Sequence, residues 1–231
     1  MSPKRILGLA ITASTALASS AALAATGTPE RVRGTIASAT ADSVTVDTHA
    51  DKPVTVALTG DTTYLKVEKS SLNKVEKGSY IGTATKDVGG RQVALEVVIF
   101  PPSMRGAGDG HYAWDKIRDT TLSGGAQTSS SMTNGNVSAV STSAPKVNSA
   151  MTNGNVAASQ SQGGITHLVV TYKGGQQDVL VPRTAPIVTF RPGTKALLAK
   201  GNDAFIKATQ TGSGLVANTV AVGVDGVKPP M

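Results

Sequence analysis

Gly34-Thr35-Ile36-Ala37-Ser38, Ser43-Val44-Thr45-Val46-Asp47 and Pro53-Val54-Thr55-Val56-Ala57-Leu58 follow one another near the start of the chain. The last two alternate polar and apolar residues with a period of two, which predicts half-buried β-strands. Working outward, an extended piece over 62–67 comes next. A short helix-like piece over 70–78 follows, closed by Gly78, and two strands over 80–85 and 92–100 flank a Gly89-Gly90 turn. The same order recurs later. Residues 166–172 alternate, turn at Gly174-Gly175 and return over 178–182, and 187–190 is extended. Residues 192–201 take the place of the short helix, and 205–209 and 215–222 close the second unit. Two copies of one pattern predict an internal tandem duplication.

The expected fold is all-β: two tandem five-stranded OB-like barrels, or alternatively small β-sandwiches, joined by a Gly/Ser/Thr/Asn-rich linker. The expected domains are a first barrel over 30–101, a loop over 102–122 and a flexible linker over 123–150. A second barrel over 151–226 and a tail over 227–231 complete the chain. The linker assignment rests on composition, since Lys146 is the only charged residue in 123–164. Such a segment buries too little apolar surface to offset the entropy of ordering it. Met132-Thr133-Asn134-Gly135-Asn136-Val137 recurs without change as Met151-Thr152-Asn153-Gly154-Asn155-Val156. The second copy is expected to be the first strand of the second unit. The first is expected to be a spare in the linker, with entry into the same strand position as its alternative.

The N-terminus reads as an export signal. Lys4 and Arg5 precede an uncharged stretch rich in Ala, Leu and Ile, and Ala22 and Ala24 give the small-x-small pattern of a cleavage site. Residues 1–24 are expected to be a signal peptide cut after Ala24 or Ala25, which makes the mature protein periplasmic or secreted. A retained membrane anchor is the alternative. Cleavage lowers the formal charge from +7 to +5. The later apolar runs, 97–100 and 168–170, are strand-sized, so no transmembrane segment is expected in the mature chain. The basic residues are scattered and the chain has one Trp, three Phe and four Tyr, a poor endowment for a nucleic-acid surface. With no cysteine, thiol redox chemistry and thiolate metal sites are excluded.

The segment that stands apart is Pro101-Pro102-Ser103-Met104-Arg105-Gly106-Ala107-Gly108-Asp109-Gly110-His111-Tyr112-Ala113-Trp114-Asp115. It lies just past a strand end, where a rigid scaffold often holds functional residues. Asp109, His111 and Asp115 offer oxygen and imidazole ligands for a divalent metal ion, and Arg105 offers a partner for an anion. The structural alternative is a clasp between the two units. In it Tyr112 and Trp114 pack the loop, Arg105 pairs with Asp109 or Asp115, and His111 bonds a carbonyl. The glycine pattern matches neither the dinucleotide fingerprint nor the phosphate loop. No serine lies in a G-x-S-x-G elbow, and no pair of carboxylates has a glycosidase motif.

This segment, with Met-Thr-Asn-Gly, Val170-Thr171-Tyr172-Lys173-Gly174-Gly175 and the Pro229-Pro230-Met231 end, resembles an uncharacterised family of bacterial exported proteins with tandem small β-barrel domains of unknown function. The resemblance implies an envelope location and a β-rich fold, and brings no reaction with it. Members are sometimes labelled metal-transport permeases, a label at odds with the lack of spanning segments. The leading expectation is a non-enzymatic binding or scaffold protein of the cell envelope, with an envelope protein or polymer as partner, no nucleic acid and no resident cofactor. A metal-ion or small-anion binding accessory protein using the 105–115 loop is the first alternative, and an envelope hydrolase the second.

Overall fold

The computed structural model describes residues 27–48, 52–122, 125–143 and 164–230. The expected signal peptide and the second hexapeptide copy lie outside the described residues. The described chain is all-β. Its strands are β1 (Thr28–Ala39), β2 (Ser43–Thr48), β3 (Pro53–Ala57), β4 (Thr63–Lys69), β5 (Tyr80–Val88), β6 (Arg91–Ile99) and β7 (Gly110–Arg118). They continue with β8 (Gln127–Ser143), β9 (Ile165–Tyr172), β10 (Gly175–Val181), β11 (Ile187–Pro192), β12 (Asp203–Thr211) and β13 (Gly214–Gly223). The expected short helices are single 3-10 turns, Leu72–Lys74 and Lys195–Leu197. Among the described residues no helix is long and apolar enough to cross a membrane.

A three-stranded meander, an extended strand, a 3-10 turn and a hairpin occur as β1–β6 and again as β8–β13. The strand partners, however, correct the expected domain boundaries. The meander β1–β2–β3 does not pair with its own hairpin β5–β6. β1 instead runs antiparallel to β12, and β3 meets β13 in parallel through Val216 opposite Ala57. The meander β8–β9–β10 takes the hairpin β5–β6: β8 pairs β5, and β10 meets β6 in parallel through Val179 opposite Gln92 and Leu180 opposite Val93. Each circuit of five strands therefore combines three strands from one half of the chain with two from the other. β4 and β11 carry the crossing and pair antiparallel with each other, Val67 opposite Phe190.

Burial follows this exchange. Ile36, Val44, Val46 and Val56 of the first meander pack with Ile206 and Val220 of the second hairpin in one core. Ile81 and Val97 of the first hairpin pack with Leu168, Val170 and Val179 in another. A third cluster forms the seam between them, and it holds all three phenylalanines of the chain, Phe100, Phe190 and Phe205. Phe100 lies 5.6 Å from Tyr80 and 5.6 Å from Phe190, ring centre to ring centre. With so few aromatic side chains, the largest apolar surfaces are concentrated where the two halves must be held together.

The expected linker is also corrected. Residues 127–143 form β8, whose 131–136 stretch pairs β5 on one side. Its opposite side pairs β7 and then β9. The first hexapeptide copy is thus a strand and not a spare: Met132 and Thr133 are fully buried and Val137 nearly so. Composition misleads because backbone ladders on both sides order this stretch, and its small polar side chains bond locally. Ser130 Oγ, for example, donates to the Asp115 carbonyl at 2.7 Å. Likewise the expected 102–122 loop contains a nine-residue strand, β7.

Candidate functional site

The segment 101–115 begins with a 3-10 turn, Pro102–Met104, and passes through glycine turns into β7. At Gly108, φ is +63° and a Cβ would sit 2.7 Å from Asn134 Nδ2. That close approach lets Asn134 Nδ2 donate to the Gly108 carbonyl at 3.1 Å. Tyr80 Oη donates to the Ala107 carbonyl at 3.1 Å. Burial, with Asp109 and Tyr112 nearby, pushes the Tyr80 phenol up to about 12.

The three residues expected to ligate a metal acquire separate partners. Asp109 Oδ2 accepts the Lys173 backbone N–H at 2.9 Å, tying the loop to the β9–β10 turn. His111 Nδ1 lies 2.8 Å from Thr133 Oγ1, and its ring stacks on Tyr172 at 6.2 Å. Asp115 Oδ1 accepts from Arg31 Nη2 at 2.6 Å, and Oδ2 from Arg31 Nε at 2.9 Å and Arg33 Nη1 at 2.8 Å. Among the described residues no group of three His, Asp or Glu side chains converges in metal-ligating fashion. The expected set Asp109, His111 and Asp115 is not brought together. Asp109 precedes β7, and His111 and Asp115 are separated along it by the rise of the strand, so spacing and these competing partners keep the side chains apart.

The expected pairing of Arg105 with Asp109 or Asp115 is also replaced. Its guanidinium donates to the Gly78 carbonyl at 2.8 Å and to Asn136 Oδ1, and lies over the Tyr80 ring at 6.0 Å. Trp114 packs against the seam cluster, Tyr112 meets it edge to face at 5.9 Å, and the Arg31 guanidinium lies 4.2 Å over its ring. Arg33 lies 4.9 Å over Phe205. The bonds from Arg31, seconded by those from Arg33, hold the Asp115 carboxyl below its ordinary range against the opposing effect of partial burial. β1 belongs to the first circuit and β7 is attached to the second, so this cluster bridges the two.

Sequence reasoning missed Arg31 and Arg33. Their signal was the Arg31-Val32-Arg33 pattern, which puts two guanidinium groups on one face of a strand with an apolar residue on the other. It also missed Lys86 and Asp119, which pair at 2.7 Å on a largely buried patch. Burial works to raise the Asp119 carboxyl, but the bonds from Lys86 and Thr121 outweigh it and the net displacement is downward.

Beside the clasp, a cleft of about 450 Å³ opens where the start of β4 meets the 101–104 turn. Thr63, Tyr64, Ser103 and Thr219 supply hydroxyl groups to its wall, and Met104 and Pro192 supply apolar surface. No charged side chain is among its lining residues. Comparisons with protein-family models, with curated proteins and with solved structures found no match to this chain.

Proposed function

We propose that the protein is a non-enzymatic binding or scaffold protein of the bacterial cell envelope, exported by its N-terminal signal and built on two OB-like barrels that share strands. The observation that carries this reading is how the 105–115 segment spends its polar groups. Arg105, Asp109, His111 and Asp115 each bond to scaffold atoms that hold loop to strand and β7 to β1. A segment so engaged acts as a clasp that makes one rigid platform of the two circuits.

On that platform the cleft between β4 and the 101–104 turn is the ligand seat of this reading. Hydroxyl groups beside proline and methionine surface suit an uncharged, hydroxyl-bearing stretch of envelope polymer, held by neutral hydrogen bonds and apolar contact. Binding of purified mature protein to isolated envelope polysaccharide, measured for wild type and Thr63→Trp, tests it. Thr63 is exposed, so an indole there fills the cleft without disturbing either core. Loss of binding in a variant with an unchanged circular dichroism spectrum supports the assignment. Equal binding by both proteins refutes it.

A small-anion reading has one observation in its favour. The exposed Arg105 guanidinium is bonded to neutral acceptors, the Gly78 carbonyl and Asn136 Oδ1, and so keeps its charge uncompensated by them. Phosphate titration of wild type and Arg105→Gln, followed by calorimetry, separates this reading from the first.

A further inference from the structure

We propose that the tip of the β5–β6 hairpin and the turn over 119–122 dock the protein on an anionic lipid surface, with Val88 and Leu122 entering the headgroup layer. Four large apolar side chains are exposed among the described residues: Val88, Tyr112, Leu122 and Val140. Val88 at 50 % and Leu122 at 56 % are the most exposed of the four. They stand on neighbouring tips. Lys86 Nζ on β5 donates to Asp119 Oδ2 and to Thr121 Oγ1, each at 2.7 Å, which brings the 119–122 turn against the hairpin. Val88 follows Lys86 by two positions and so projects from the same face of β5, one step nearer the tip. Leu122 directly follows Thr121.

Both tips are braced. Gly89 and Gly90, at φ +61° and +78°, close the hairpin as a two-residue turn with Val88 opposite Arg91. Asp87 Oδ1 accepts the Gly90 N–H at 3.0 Å. Thr120 Oγ1 donates to the Leu95 carbonyl of β6, and Asp119 Oδ1 accepts the Thr121 N–H at 2.9 Å. The two apolar groups can therefore leave water with little further ordering of the chain that carries them.

The surrounding charge selects the occupant. Arg91 and Arg118 are exposed, and neither is ion-paired among the described residues. Arg91 faces Val88 across the hairpin, and the Arg118 side chain lies over Gly125, where a Cβ would come within 2.3 Å of its Nε. The acidic groups of the region are engaged: Asp119 pairs with Lys86, and Asp87 holds the hairpin turn from the opposite face of β5. Basic groups beside protruding apolar ones match an anionic headgroup layer over an acyl interior. A protein partner fits less well, since a stable interface buries roughly 800 Å² on each side and two protruding side chains do not supply that. The tips lie at the opposite end of β6 from the 101–104 turn, about 25 Å away along the strand, so a docked molecule keeps its cleft open. The docking goes beyond the ligand assignment of the cleft and does not depend on it.

Vesicle co-sedimentation of the purified mature protein, residues 25–231, which retains every described residue, tests this. The vesicles are phosphatidylcholine alone, or phosphatidylcholine with an equal share of phosphatidylglycerol. Wild type is compared with a Val88→Ser, Leu122→Ser pair and with an Arg91→Gln, Arg118→Gln pair. Wild type is expected to sediment with the phosphatidylglycerol vesicles and only weakly with phosphatidylcholine. Each pair of substitutions is expected to lower that affinity by about tenfold or more. All four side chains are exposed, so both variants should keep the circular dichroism spectrum of wild type. Failure of wild type to bind the phosphatidylglycerol vesicles overturns the proposal. So does binding that the serine pair leaves unchanged, which marks a diffuse attraction of a basic protein, or binding that the glutamine pair leaves unchanged.

Discussion

Replacing Asp115 by Asn keeps the shape of the clasp and removes its negative charge, so it isolates the electrostatic share of the bridge between the two circuits. Asp115 takes two bonds from Arg31 and one from Arg33. Hydrogen bonds to charged groups contribute about 1.5–3 kcal/mol when shielded, whereas exposed ion pairs contribute about 0.2–1 kcal/mol. The Asp115 side chain is 30 % exposed and that of Arg31 37 %, which places this cluster between those limits after discounting for solvent. The expected loss is about 1–2 kcal/mol at neutral pH, since the amide can still accept one bond but leaves two guanidinium groups facing each other. For a chain of this size that is a fall in Tm of about 2–8 °C. The sign with pH follows from the lowered carboxyl of Asp115 in the fold. Its contribution is complete above the ordinary carboxylate value of 3.8 and is lost as pH falls through the lower folded value. Urea unfolding of wild type and Asp115→Asn, followed by circular dichroism at a series of pH values, reads both quantities. The gap in midpoint should be widest near neutrality and close in strong acid. Equal midpoints at neutral pH, or a gap that persists unchanged below the carboxylate range, would show that the bridge is held by packing of Trp114 alone.

Phe100→Ala removes the ring that touches both Tyr80 and Phe190 in the seam. It is expected to cost about 3–5 kcal/mol while unfolding remains a single transition, because both cores depend on exchanged strands. Separate transitions for the two cores in calorimetry would contradict the exchange. Lys86→Met leaves Asp119 at 6 % side-chain exposure without its cation, and a loss of about 3–5 kcal/mol is expected, read as a lower urea midpoint. Tyr80 should titrate last of the tyrosines, near 12, in an ultraviolet absorbance titration, and that step should vanish in Tyr80→Phe. Because its folded value lies above the ordinary 10.0, its contribution to stability is whole below pH 10 and declines as pH rises toward 12.

The strands of the first meander, with β9 and β10 of the second, were legible because their alternation is the direct imprint of one buried face, as at Val44, Val46 and Val56. Their partners were not. β3 can close against β6 or β13 with equal chemical sense, since the two hairpins carry the same kind of apolar run, and local pattern holds no information about which is taken. β8 escaped detection because Thr133 and Asn134 are buried polar residues whose side chains bond His111 on the neighbouring β7 and the Gly108 carbonyl, contacts that look like linker composition when read along the chain. In the site, the segment 101–115 stood out through its rare residue types. Its roles depended on Arg31 and Arg33, more than seventy positions away, which no spacing rule connects to Asp115.

The exchange of hairpins also sets an order of events during the protein's birth. The first meander, β1 to β3, is synthesised early, yet its core is closed by β12 and β13, which end at Gly223 of a 231-residue chain. The first core cannot close until β12 and β13 have emerged. For a chain threaded through a narrow translocation pore as an extended polymer, that delay is useful. If the chain is exported as proposed, its first meander stays open during transit and closes only once β12 and β13 have followed.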